Sequence, residues 1–306
     1  MLLFTHPSMI AHAPPPGHPE RPARLEAVLK GLEPLALEKR EAPFAAREAL
    51  ERVHPKAFVD ALEEAFPEPG EGLAAIDADT FLSDASREAA WRAAGALTAA
   101  VDAVMGGEDD MAFCAVRPPG HHAEPARAMG FCLFNNVAIG ALHALEAHGL
   151  SKVAVVDFDV HHGNGTEAVA MREPRLFFAS THQSPLYPGT GFAHEHGPAN
   201  NILNAPLPPG ADGAAWRAAM ERNVLPALRA FAPEILFVSA GFDAHRADPL
   251  AEMALEDSDY AWAGKALREA ALQSCNGKVV STLEGGYDLG ALAHSAAAYV
   301  GALSRV

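Results

Sequence analysis

Residues 153–165 read Val-Ala-Val-Val-Asp-Phe-Asp-Val-His-His-Gly-Asn-Gly. Val153 to Val156 is apolar and rich in β-branched side chains, the composition of a strand buried on both faces of a parallel sheet. The run ends by presenting Asp157, Asp159, His161 and His162 within six positions. Extended geometry past Val156 points Asp157, Asp159 and His161 to one side, because side chains alternate with a period of two. Two carboxylates and an imidazole then converge at the carboxyl end of a strand, where open α/β sheets keep their ligand crevices. Oxygen and nitrogen donors without a thiolate suit a catalytic divalent metal better than a structural one. A simple polar turn after a core strand has no need of such a cluster.

Working outward, similar strand-like runs occur at Leu2–Thr5, Met111–Val116, Leu176–Ser180, Ile235–Ser239 and Val279–Leu283. Helical patterns separate several of them. Leu25, Val28, Leu29 and Leu32 form an i, i+3, i+4, i+7 stripe, and Ser83–Met105, Asn136–His148, Asp212–Phe231 and Asp257–Ser274 read as further helices. Alternation of this kind predicts an α/β fold: a central, mainly parallel sheet with helices on both faces. The Pro- and Gly-rich pieces are short and resemble surface loops, so residues 1–306 are expected to form a single domain.

Polar residues gather just after the strands. Met111–Val116 leads into Arg117-Pro-Pro-Gly-His121-His122, Ile235–Ser239 into Ala-Gly-Phe-Asp243, and Val279–Leu283 into Glu284-Gly-Gly-Tyr287. Four strands thus deliver unusual chemistry at one end of the sheet. Asp159, His161 and Asp243 supply two carboxylates and one imidazole, leaving a coordination position for water and substrate. The ordinary histidine pKa lies where a general acid and base must operate, so the pair His121-His122 is a candidate for that role. Tyr287 follows two glycines that allow close backbone approach, and its phenol can donate to a developing oxyanion. His6, His12, His143, His148, His194, His196 and His294 have no comparable setting and read as surface or satisfied histidines.

Composition narrows the function classes. Against 39 acidic residues stand 23 basic ones, a formal charge of −16, which argues against sequence-independent nucleic-acid binding. Cys114, Cys132 and Cys275 are odd in number and widely spaced, fitting neither a disulfide framework nor a zinc ribbon. No secretory leader pattern is visible and no uncharged run is long enough to span a bilayer. These features predict a cytoplasmic protein that binds neither nucleic acid nor membrane.

The combined motifs closely resemble the histone deacetylase family of the arginase/deacetylase fold, nearest its class II and bacterial members. The landmarks are His18-Pro-Glu-Arg21-Pro, Arg117-Pro-Pro-Gly-His-His-Ala, Gly130-Phe-Cys-Leu-Phe-Asn-Asn, the 157–165 stretch, Tyr187-Pro-Gly-Thr-Gly, Gly241-Phe-Asp and Glu284-Gly-Gly-Tyr. Several motifs in family order make a specific signal. The resemblance implies one zinc ion held by Asp159, His161 and Asp243, with His122 as general base and acid. It assigns His121 an electrostatic role, Asp157 its orientation, and Tyr287 the polarisation of the scissile carbonyl. It also implies a potassium ion near Asp157, Ser180 and Thr181, together with backbone oxygens of Asp159 and His161. Gly130, Phe131 and Tyr187 match the wall of a narrow acyl tunnel, and Arg21 is expected to reach an inner cavity. Asn164 stands where many class I enzymes carry Asp, giving His122 a neutral partner.

The implied reaction removes acetyl groups from lysine side chains of a protein or peptide, or from a similar acylated amine. Acetylpolyamines are the alternative substrate. Relatives specialised for them tend to carry an acid at the tunnel mouth, where the match here is Leu250. An inert acyl-lysine-binding module is a third reading. The long stretches Pro14–Pro22 and Phe66–Ser83 are expected at the tunnel rim, where Asp79 is a candidate to hold a substrate backbone.

Overall fold

Each of the apolar runs becomes a strand. In the computed structural model, which describes residues 1–304, the strands are β1 (Leu2–Thr5), β2 (Glu38–Glu41), β3 (Ala74–Ala75), β4 (Phe81–Leu82), β5 (Met111–Cys114), β6 (Val153–Asp157), β7 (Leu176–Gln183), β8 (Ile202–Leu207), β9 (Ile235–Ala240) and β10 (Val279–Leu283). Eight of them form one sheet in the order β2-β1-β5-β10-β9-β6-β7-β8, while β3 and β4 make a separate antiparallel hairpin. Every pairing in the large sheet is parallel. All residues of β6, β9 and β10 are buried, as a parallel sheet covered on both faces requires.

Two groups of helices cover the sheet. Ser86–Met105 packs against Asn136–Ala147 and β5, whereas Leu289–Ser304 packs against both Asp257–Ser274 and Ala23–Leu32. Asn135 caps Asn136–Ala147 by accepting a hydrogen bond from the Ala138 amide at 3.0 Å. Glu256 and Asp259 form a reciprocal capping box at the start of Asp257–Ser274. The segment Asp212–Phe231 begins with Asp212 as a cap and runs Gly213–Ala219, a π-helical turn over Met220–Val224, then Leu225–Phe231.

The sheet order places β5, β10, β9 and β6 side by side at its centre. These are the four strands followed by polar clusters in the sequence. Because all four are parallel, their carboxyl ends emerge along one edge. The loops after them therefore meet in space although they lie far apart in the chain.

Candidate metal centre and tunnel

Strand β6 ends at Asp157, so the strict alternation expected beyond Val156 stops there. Asp159 and His161 lie in the turn that follows. Asp157 leaves the cluster and Asp243, from the loop after β9, completes it. Ligating atoms of Asp159, His161 and Asp243 all lie within 4.8 Å of one another, and all three residues are buried. His161 Nδ1 is 3.1 Å from Asp159 Oδ1 and 3.2 Å from Asp243 Oδ2. Backbone amides orient the other carboxylate oxygens: Gly285 N–H donates to Asp159 Oδ2 at 2.7 Å and Val160 N–H to Asp243 Oδ1 at 2.9 Å. A side chain at Gly285 would collide with the Asp243 carboxylate, which explains a glycine directly after Glu284. His162 turns away, toward Thr190 Oγ1 at 2.7 Å and Glu167 Oε2 at 3.0 Å.

The donor set fits a dication. Burial opposes charge on His161, yet Asp159 and Asp243 overcome it and raise its pKa to about 10. Burial and the neighbouring Asp159 push Asp243 upward. Two buried carboxylates that pull a proton onto the adjacent imidazole mark a place where positive charge is strongly favoured. Two oxygens and one imidazole nitrogen, with His161 facing a cavity, match a catalytic site with an open position.

Beside this cluster stand the two histidines delivered by β5. Asp157 Oδ2 lies 2.9 Å from His121 Nδ1, and its Oδ1 accepts from the Asp159 amide at 3.1 Å. Burial works against imidazolium at His121, but Asp157 and Asp159 raise its pKa to about 10. His122 behaves oppositely. Burial, then the positive charges of His121 and His161, hold its pKa well below the ordinary value. Its Nδ1 lies 2.8 Å from Asn164 Oδ1, and the Asn164 amide group donates to Glu124 Oε1 at 2.9 Å. Asn164 thus presents an acceptor, His122 Nδ1 carries the proton, and Nε2 keeps its lone pair.

Tyr287, buried in the loop after β10, joins His122 and His161 in lining a cavity of about 230 Å³. Gly130, Phe131, Leu186, Tyr187 and Leu250 form its walls, with Asp79 at the lining as well. Gly130 has φ +57°, and a Cβ there would sit 2.6 Å from the His122 ring. Residues of the two long stretches meet here: His18 packs edge-on against Phe131 with centroids 4.7 Å apart and contacts Asp79 O at 3.0 Å. Ser180 is the register partner of Asp157 on β7, while Thr181 Oγ1 accepts from Trp216 Nε1 at 3.0 Å.

Arg21 does not reach an inner cavity. It precedes the helix Ala23–Leu32 and is exposed, because the first helical turn rotates Arg24 inward instead. Arg24 is fully buried, donates to Gly286 O at 2.6 Å and Glu284 O at 2.5 Å, and lies 4.8 Å from the Tyr287 ring centroid. The spacing of Glu284 indicates no role, yet its Oε2 accepts from the amides of Gly120 at 2.7 Å and His121 at 3.2 Å. It ties β10 to the histidine loop. Burial pushes its pKa up to about 7. Asp248 is a third addition: its Oδ2 accepts from the Tyr287 amide at 2.7 Å and its Oδ1 from Leu250 N–H at 2.9 Å. A polar residue directly after a core strand was the available signal for Glu284; Arg24 and Asp248 carried none.

Residues 18–303 match the histone deacetylase domain, and the chain belongs to that family. Among its relatives, the histone deacetylase-like amidohydrolase of Pseudomonas aeruginosa is 41% identical over 281 residues, covering 89% of this chain and 73% of the relative. The chloroplastic histone deacetylase 14 of Arabidopsis thaliana is 40% identical over 301 residues, covering 92% and 71%. The crystal structure of the HDA15 HD domain superposes with a TM-score of 0.92 at 33% identity, over 99% of this chain and 90% of that one. The fold is thus the parallel α/β fold of that family.

Proposed function

We propose that this protein is a zinc-dependent amidohydrolase that removes acetyl groups from lysine side chains. The observation that carries this reading is the cluster of Asp159, His161 and Asp243, whose His161 lines one cavity together with His122 and Tyr287. Zinc held by those three ligands would acidify a water and polarise the amide carbonyl. His122 Nε2 takes the water's proton during attack and returns it to the departing amine. The Tyr287 hydroxyl donates to the carbonyl oxygen as it gains charge. His121, kept cationic by Asp157, adds favourable potential and fixes the neighbouring imidazole. The side chains of Asp157 and Ser180, with the backbone oxygens of Asp159, His161 and Thr181, are the proposed shell of a potassium ion.

Walls of Gly130, Phe131 and Tyr187 suit an extended aliphatic stem with an acyl tip, the shape of acetyl-lysine. Asp79, lining the same cavity, is placed to accept a substrate backbone amide. Leu250, part-exposed and neutral at the cavity, offers no partner for a cationic amine, which favours peptide over polyamine substrates. The formal charge of −16 points the other way, toward cationic polyamines. The buried free thiols Cys114, Cys132 and Cys275 suit a reducing cytoplasm, and among the described residues no helix is long and apolar enough to cross a membrane.

The test is a substrate panel on zinc-reconstituted protein. Turnover of an acetyl-lysine peptide well above that of acetylspermidine or acetylputrescine is expected. The reverse order assigns the enzyme to polyamines, and binding without turnover of any acylated amine leaves a recognition module.

A further inference from the structure

A second group of potential metal ligands lies away from the tunnel. Asp102 belongs to the last turn of helix Ser86–Met105, while His143 and His148 belong to the end of helix Asn136–Ala147 and its cap. His143 Nε2 and His148 Nε2 converge on the same oxygen, Asp102 Oδ1, at 2.7 and 2.8 Å. Their ligating atoms all lie within 4.8 Å of one another. The two helices run to their carboxyl ends side by side, so their partial negative charges add at this place. At 12 residues beyond Asn136, His148 is about 18 Å along the helix from the end that packs against the His121–His122 loop.

We propose that Asp102, His143 and His148 form a surface site for a borderline divalent transition metal such as Ni2+, Zn2+ or Cu2+. Two imidazole nitrogens with one carboxylate select these ions over Mg2+ or Ca2+, which take oxygen shells. A tetrahedral ion with bonds of about 2.1 Å separates its ligand atoms by about 3.4 Å, so the three groups must open by roughly 0.6 Å. That movement is small for a carboxylate with an exposed side chain. Asp102 and His143 also line an open cavity of about 340 Å³, which admits water to the remaining positions. One contact opposes binding. Arg52 Nη1 lies 3.0 Å from His143 Nδ1, the nitrogen that must carry the proton once Nε2 ligates a metal. Arg52 is exposed and can swing into solvent, so it acts as a competitor that tunes the affinity. A bound ion would clamp the two helices together and raise stability through mass action.

The experiment titrates Ni2+ into enzyme whose catalytic centre is already filled with zinc. The wild type is expected to bind one further equivalent in the micromolar range and to gain thermal stability. His148→Gln and Asp102→Asn should weaken that binding at least tenfold with deacetylation unchanged, and Arg52→Ala should strengthen it. In the wild type, paramagnetic Cu2+ should broaden the imidazole signals of His143 and His148 before those of other exposed histidines, a readout that needs no variant to fold. Equal titration of wild type and His148→Gln, or broadening that spares these two rings, would overturn the assignment.

Discussion

Tyr287 is fixed from several directions before any substrate arrives. Its amide donates to Asp248, the Arg24 guanidinium lies over its ring, and Phe131 packs against it with centroids 6.0 Å apart. Burial raises its pKa well above the ordinary phenol value, so the hydroxyl stays protonated and able to donate. Losing one oxyanion donor costs about 3–4 kcal/mol in the transition state. Tyr287→Phe should therefore bind zinc normally yet turn over roughly 10²–10³ times more slowly. Unchanged turnover would remove the phenol from the chemistry. The His122–Asn164 contact gives a second test. A carboxylate in place of the amide favours imidazolium, so Asn164→Asp should raise the His122 pKa. The acidic limb of kcat/KM should then move to higher pH by about one unit. A limb that stays in place would disconnect Asn164 from His122.

Between the residue and the molecule, loops and strand ends carry the site. His54 pins both ends of the segment that holds Gly130 and Phe131. Its Nδ1–H donates to Pro125 O at 3.0 Å, and its Nε2 accepts from the Asn135 amide at 2.9 Å. Burial lowers its pKa to about 4, since the neutral ring alone satisfies both partners. For a depressed histidine, the stability contributed is fully present above the unfolded value of 6.5 and is lost as pH falls toward about 4. The stability gap between wild type and His54→Gln, measured by urea unfolding, should accordingly shrink by on the order of 2 kcal/mol from pH 7 to pH 5. A gap that widens would reverse the protonation state assigned to His54.

The same scale explains what the sequence could and could not reveal. β1 and β10 read directly from their apolar runs because buried parallel strands need continuous β-branched or apolar residues. β2 is Glu-Lys-Arg-Glu, wholly exposed, and belongs to the sheet through backbone pairing with β1 at the edge. No hydrophobic pattern announces such a strand. β8 is similarly disguised by Asn204 and Pro206 at the opposite edge. Leu289–Ser304 is rich in alanine and apolar on most sides, so it lacks the amphipathic period that reveals a surface helix. Arg21 and Arg24 show the limit for side chains: both are plausible by type, and the helix phase that buries one and exposes the other is fixed by packing.

For the molecule as a whole, the central consequence is that β5, β10, β9 and β6 are neighbours. Their shared direction brings groups from positions 121 to 287 to one edge, and the site is therefore a property of the topology. The metal assignment concentrates all of this into one question. Protein stripped by a strong chelator should lose hydrolysis of an acetyl-lysine peptide. Adding zinc should restore it at the first equivalent, with a crystal structure placing that ion between Asp159, His161 and Asp243. Full activity after stripping, or an ion coordinated elsewhere while activity returns, would contradict the proposed centre.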